Sequence, residues 1–150
     1  NYLVSKKGGA TLKSVANFKM YDALLYLAEF AFITKVENYV YSYEYLTSDQ
    51  IYNYVNDLYG EFISKGIKVT KGYWCYPCVA ASCYYISYAT SLLESVQFLT
   101  MPINDAKKAY VDFCLDNSTT GSVAKWEKAG LTSPFEQVTI DKMVNYCKAM

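Results

Sequence analysis

Histidine and arginine are absent from this chain of 150 residues, and only three prolines and seven glycines interrupt it. Without histidine, neither a Ser-His-Asp nor a Cys-His catalytic arrangement can form. No glycine-rich phosphate-binding loop occurs in the sequence either. These absences exclude the commonest hydrolase and nucleotide-binding machinery. They leave the cysteines as the side chains with evident redox or metal-binding chemistry.

Charge of either sign is also sparse, since fourteen lysines balance fourteen carboxylates. The lysines are scattered, and no basic stripe can be drawn along any segment, so we expect no nucleic-acid partner. Residues 72–93 carry no charge and have the length of a membrane span, but they include Pro77, Thr90 and five tyrosines. A membrane span would be richer in leucine, so we predict a buried helix and no membrane span. No cofactor or metal is predicted.

The first residue is Asn1, and the first ten residues lack the apolar core of a signal peptide. Together with five cysteines, this start favours a processed protein that is secreted and extracellular, although a cloned fragment would begin in the same way. Asn117 begins an Asn-Ser-Thr triplet and is a candidate glycosylation site.

Apolar residues recur at helical spacing along most of the chain, and no segment alternates in the manner of a strand. The predicted helices cover about 12–40, 48–65, 77–99, 104–115, 122–128 and a last segment that begins at Ser133. Gly66 and Gly130 follow two of them as stop signals. The sequence therefore predicts one all-α domain over 1–150, a compact bundle of about five or six helices.

A faint repeat relates two parts of the chain at a shift of 56 positions. The units would be about 11–66 and 73–117, followed by C-terminal helices over 122–149. This predicts two related helical hairpins plus a C-terminal helix. Shared composition of tyrosine-rich helices explains the likeness equally well.

The repeat also motivates a disulfide hypothesis. Cys83 and Cys114 take the places of two leucines of the first unit, which predicts a bridge between these two cysteines. Cys147 would then pair with Cys75 or Cys78, leaving one thiol free. Each bridge would stabilise the fold by about 3 to 4 kcal/mol in the chain-entropy description.

Residues Trp74 to Cys78 read Trp-Cys-Tyr-Pro-Cys and resemble the active-site pentapeptide of the thioredoxin family. The resemblance implies a thiol-disulfide oxidoreductase with Cys75 as nucleophile and Cys78 as resolving thiol. A thioredoxin domain needs a strand before this motif, and the sequence offers none. A zinc site from Cys75, Cys78, Cys114 and Cys147 is disfavoured because only one close pair exists.

Cysteines and tyrosines also occur in groups after residue 72, while the first half, including Tyr21 to Tyr59, has no cysteine. The residues concerned are Cys75, Tyr76 and Cys78, then Tyr110 and Cys114, and finally Tyr146 and Cys147. This grouping resembles the bicycle proteins, which are salivary effectors of gall-forming aphids with paired cysteine-tyrosine-cysteine motifs. The resemblance implies a secreted effector that acts in host plant tissue, and it brings no catalytic residues.

The seventeen tyrosines suggest that the protein acts by binding, because tyrosine gives large contact areas and a hydrogen bond at low entropic cost. The candidate binding residues are Tyr39, Tyr41, Tyr43 and Tyr45. An interaction protein that binds a host or partner macromolecule is the favoured function. The alternatives are the oxidoreductase and a carrier of a small apolar ligand. Glu29, Glu37 and Glu44 lie at helical spacing and are predicted to form a solvated stripe.

Overall fold

A computed structural model describes residues 10–149 of the chain. Within this range it contains helices and no strand, which confirms the all-α prediction with seven helices in place of five or six. They are α1 Ala10–Tyr41, α2 Ser48–Ser64, α3 Cys75–Ala80, α4 Tyr85–Thr100, α5 Ile103–Leu115, α6 Ser122–Lys128 and α7 Gln137–Lys148. The N-terminal residues that suggested processing lie outside the described range.

The described residues form two compact units. One is Met20–Ala89, which we call the central unit, and the other joins 10–19 to 90–149 and is called the C-terminal unit. Helices α1 and α4 each contribute residues to both. These boundaries do not follow the repeat predicted over 11–66 and 73–117, which stays a prediction.

The core of the central unit lies between α1 and α2. Its buried cluster consists of Phe32, Val36, Val55, Leu58, Phe62 and Cys78. Phe32 is fully buried and meets Phe62 edge to face, with the ring centroids 5.5 Å apart. The members on each helix are spaced at three or four residues, so one face of α1 packs against one face of α2.

Local signals define several helix ends as the sequence predicts. Thr47 caps α2 by accepting a hydrogen bond from the Gln50 amide, while the Gln50 side chain accepts from the Thr47 amide. Gly66 adopts a φ of 74°, and the next amide, of Ile67, donates to the carbonyl of Phe62 at 2.9 Å. Gly130 ends α6 in the same way with a φ of 78°. Both glycine stops are therefore confirmed as left-handed helix ends.

The helix predicted over 77–99 is wrong in one respect, because the structure breaks it. Helix α3 ends at Ala80, a four-residue turn follows, and α4 begins at Tyr85. Within the turn, Cys83 has a φ of 57°, which a helix cannot accommodate. The Cys83 amide donates to a carboxylate oxygen of Glu37 at 3.1 Å. This contact with α1 replaces the helical hydrogen bond that the local pattern predicts.

The C-terminal unit is organised by buried side chains of α4, α6 and α7. Trp126, Leu131 and Met143 form apolar parts of its interior. The Gln97 side chain donates to the carbonyl of Thr132 at 2.8 Å and accepts from its amide at 3.0 Å. The turn fixed in this way runs to residue 136, so α7 begins at Gln137 and not at Ser133 as predicted. Among the described residues, none of the helices combines the length and the hydropathy of a membrane span.

Candidate functional site

The tyrosines of the described residues are concentrated at the surface of the central unit. None of them is fully buried, and the exposed ones in this unit are Tyr21, Tyr26, Tyr41, Tyr43, Tyr45, Tyr52, Tyr73, Tyr76, Tyr84 and Tyr88. The C-terminal unit exposes one further tyrosine, Tyr110. Aromatic surface of this extent on one unit is typical of a binding face.

An open cleft of about 720 Å³ lies between α1 and the segment 67–73 of the central unit. We call it the tyrosine cleft. Its walls are built by Tyr21, Asp22, Leu25, Tyr26, Glu29, Phe30, Lys68, Val69, Thr70 and Tyr73. Tyr21 and Tyr26 are 61% and 55% exposed, so their rings are available to a ligand from solvent. The site is therefore lined by aromatic rings together with the side chains of Asp22, Glu29 and Lys68.

Glu29 fixes the wall opposite α1. Its two carboxylate oxygens accept hydrogen bonds from the Thr70 amide at 3.1 and 2.9 Å. Lys71 then extends over the rings of Tyr52 and Tyr59, with its Nζ atom 5.8 and 5.4 Å from the ring centroids. These contacts hold a segment without regular secondary structure against the helices. The cleft is thus preformed.

Two residues that line the tyrosine cleft, Phe30 and Tyr73, also contact tyrosines outside it. The Phe30 ring stacks on Tyr26 at 6.0 Å and on Tyr88 at 5.4 Å between centroids. The hydroxyls of Tyr73 and Tyr85 are 2.9 Å apart and share a hydrogen bond. This hydrogen bond, helped by burial, raises the pKa of Tyr85 to about 12. The Tyr85 hydroxyl therefore stays neutral at physiological pH and adds no charge to the site.

The binding residues predicted from the sequence lie outside the tyrosine cleft, and the Tyr39 and Tyr43 rings are in contact with centroids 5.3 Å apart. Tyr43 and Tyr45 are exposed, while Tyr39 stacks on Tyr54 with ring centroids 3.9 Å apart. Tyr41 uses its hydroxyl to donate to the carbonyl of Cys78. None of the four lines the tyrosine cleft. The cleft residues on α1, which include Tyr21 and Tyr26, were not predicted from the sequence.

All five cysteines lie within the described residues and are free thiols, so none of the predicted bridges is present in the structure. Cys75, Cys83 and Cys114 are exposed, Cys147 is half-buried and Cys78 is buried. Burial raises the pKa of Cys78 to about 12, and the charges of Glu37, Cys75 and Cys83 add to the shift. No group of three or more acidic or sulfur ligands in the described part of the chain could hold a metal ion. Asn117, the glycosylation candidate, is exposed in the loop after α5.

The reactivity of the thiols follows from this distribution. With an aromatic disulfide reagent at pH 8, we expect the three exposed cysteines to react fast, Cys147 more slowly and Cys78 only after unfolding. The thiolate is the reacting form, and a pKa of about 12 leaves only about one Cys78 in ten thousand ionised at that pH. Absorbance of the released thiolate gives the count and the rates. Fewer than five thiols in denaturant without reductant would contradict the structure and support the bridges predicted from the sequence.

Comparison with known proteins finds no match, whether among family models, curated proteins or solved structures.

Proposed function

We propose that this chain is a non-enzymatic interaction protein that binds an extended peptide segment of a partner protein in the tyrosine cleft. One observation carries the proposal: most exposed tyrosines of the described residues lie on the central unit, and three of them surround a preformed cleft. Tyr21 and Tyr26 are exposed in the cleft, while the Tyr73 hydroxyl is shared with Tyr85. A peptide backbone offers partners for those hydroxyls, and its apolar side chains offer partners for the rings.

The rigidity of the cleft favours a binding role for its tyrosines over the alternative that they are solvated and bind nothing. The Glu29 carboxylate holds Thr70 with both oxygens, so the wall does not have to be ordered when a partner arrives. Less ordering lowers the entropic cost of association. Asp22 and Lys68 line the cleft and would favour a partner segment with charges of both signs.

A carrier of a small apolar ligand is the second candidate. The volume of about 720 Å³ falls within the range of sites that enclose small molecules. The exposure of Tyr21 and Tyr26 favours the peptide, because a carrier site normally covers most of its ligand. Fluorescence of N-phenyl-1-naphthylamine, an apolar probe, measures this alternative directly.

The oxidoreductase alternative gains one feature, an exposed Cys75 beside a buried Cys78. The residues that precede Trp74 form a turn, however, where the thioredoxin-like motif requires a strand. We therefore do not propose redox catalysis. The secreted location and the resemblance to bicycle proteins stay predictions from the sequence, and they would place the binding in host tissue.

Selection of short random peptides on phage against the whole chain tests the proposal. We expect enriched peptides whose affinity falls at least about tenfold with Tyr21→Ala or Tyr26→Ala, because each change removes a ring that the ligand would cover. Tyr43→Ala and Tyr45→Ala are matched controls, since both tyrosines are exposed outside the cleft. Fluorescence anisotropy of a labelled peptide gives the dissociation constants.

Two results would contradict the proposal. If the control substitutions weaken binding and the cleft substitutions do not, the binding face is the segment predicted from the sequence. If no peptide is enriched while N-phenyl-1-naphthylamine binds and is lost with Tyr26→Ala, the cleft serves a small apolar ligand.

A further inference from the structure

A second, smaller pocket of about 190 Å³ lies on the central unit, between the end of α1 and the turn before α4. Its walls include Thr34, Glu37, Asn38 and Tyr41 of α1, and Cys83 of the turn. Thr34, Glu37 and Tyr41 are three and four positions apart along α1, so they project from one face of the helix. The pocket shares no lining residue with the tyrosine cleft.

Two polar atoms of this pocket's residues lack partners. Glu37 is 2% exposed, and its Oε1 atom accepts from the Cys83 amide while its Oε2 atom is buried with no hydrogen-bond partner among the described residues. The Thr34 hydroxyl is buried in the same unpartnered state. Unpaired buried oxygens of this kind are costly, and a water, an ion or a ligand that donates hydrogen bonds would satisfy them.

Within the described part of the chain, no lysine contributes to the pKa shift of Glu37. Burial raises the pKa of Glu37 above the ordinary 4.5, and the hydrogen bond from the Cys83 amide opposes this shift. The titratable groups that face it from the neighbouring elements are Cys78, Cys83 and Tyr41, none of which carries positive charge. Lys35, its neighbour in sequence, lies over the ring of Phe62 instead. A buried carboxyl without a counter-charge favours a cationic ligand.

The hydroxyl of Tyr41 is already engaged, because it donates to the Cys78 carbonyl and lies 2.7 Å from the Ser82 hydroxyl. Its ring therefore serves as a fixed wall. The same hydrogen bonds, with that from Cys83 to Glu37, hold the left-handed turn in place. The pocket is thus built by contacts that do not depend on a ligand.

We infer that this pocket binds the protonated head of a small primary amine, with the ammonium group donating to Glu37 and Thr34. The Tyr41 ring and Ile86 would contact the alkyl stem. The volume of about 190 Å³ corresponds to about six non-hydrogen atoms at the packing of liquid water, which suits an amine of four or five carbons.

Titration of the ¹⁵N-labelled whole chain with n-butylamine tests this inference. We expect a saturable shift of the Cys83 amide signal, because this amide donates to the carboxylate that the ammonium group would contact. Butan-1-ol has the same stem without the charge, and we expect it to bind at least about tenfold more weakly. Amine affinity should also fall as the pH is lowered through the raised pKa of Glu37, since protonation removes the negative charge.

Substitutions locate the site. Glu37→Gln should lower the affinity for butylamine at least about tenfold. Glu44→Gln, at an exposed glutamate beyond the end of α1, should leave this affinity unchanged. Thr34→Val removes the second acceptor without altering charge and should weaken binding severalfold. If Glu37→Gln fails to fold, the affinity of the Thr34→Val variant for butylamine tests the inference. Three results would overturn the inference. They are butan-1-ol binding as tightly as butylamine, the Thr34→Val variant binding butylamine as tightly as the unsubstituted protein, and signal shifts confined to the tyrosine cleft.

Discussion

Replacing Phe32 with alanine is expected to lower the free energy of unfolding of the central unit by about 3 to 5 kcal/mol. Phe32 is fully buried, and its ring meets Phe62 edge to face. The change removes a large apolar side chain from the centre of the α1–α2 cluster and leaves a cavity that rigid helices cannot close.

Trp74 reports this loss, because it packs against the same cluster. Urea unfolding followed by its fluorescence, in a Trp126→Phe background, isolates the central unit. Tyr45→Ala is the control: it removes an aromatic ring from the same unit, at a side chain 85% exposed, and should cost less than about 0.5 kcal/mol. A loss below about 1 kcal/mol for Phe32→Ala would show that the α1–α2 cluster is not the core of this unit.

The helices that the sequence predicts well are those whose ends depend on local chemistry. A glycine just beyond the last turn needs no distant partner to stop a helix, and Gly66 and Gly130 do so with positive φ. Helices α5 and α6 likewise follow from apolar spacing between loop residues, and their observed bounds differ little from the predicted ones. For such elements the information lies within a few residues.

The features that define the candidate sites depend on contacts far apart in sequence. Glu29 reaches Thr70 across 41 positions, and Glu37 reaches Cys83 across 46. The predicted solvated stripe of glutamates is correct at Glu44, which is exposed, but wrong at Glu37, which is buried. Periodicity showed that these side chains share a face, but it could not show which elements cover that face.

Glu94 is a further ionisable side chain whose burial the sequence pattern does not predict. It ends the uncharged stretch that begins at residue 72, and the structure leaves it only 7% exposed on α4. Within the described residues its Oε1 atom has no hydrogen-bond partner. Burial raises the pKa of Glu94 from 4.5 to about 8, so the folded protein holds this side chain neutral at physiological pH.

The stability of the C-terminal unit should therefore fall as the pH rises from about 4.5 to about 8. Below this range both states bind the proton and the group has no effect. Within it the unfolded state ionises while the folded state keeps its proton, which favours unfolding by 1.36 kcal/mol per pH unit. The total loss from this group is on the order of 4 to 5 kcal/mol at pH 8, and above that pH the dependence levels off.

Glu94→Gln tests the assignment, because glutamine keeps the shape and cannot ionise. We expect the variant to match the natural protein near pH 4.5 and to exceed its stability by several kcal/mol at pH 8. Urea unfolding at both pH values, followed by Trp126 in a Trp74→Phe background, reports the unit that contains Glu94. Glu127→Gln, at an exposed position of α6, should retain the natural pH dependence. A Glu94→Gln variant with the same slope as the natural protein would show that another buried group carries the proton linkage.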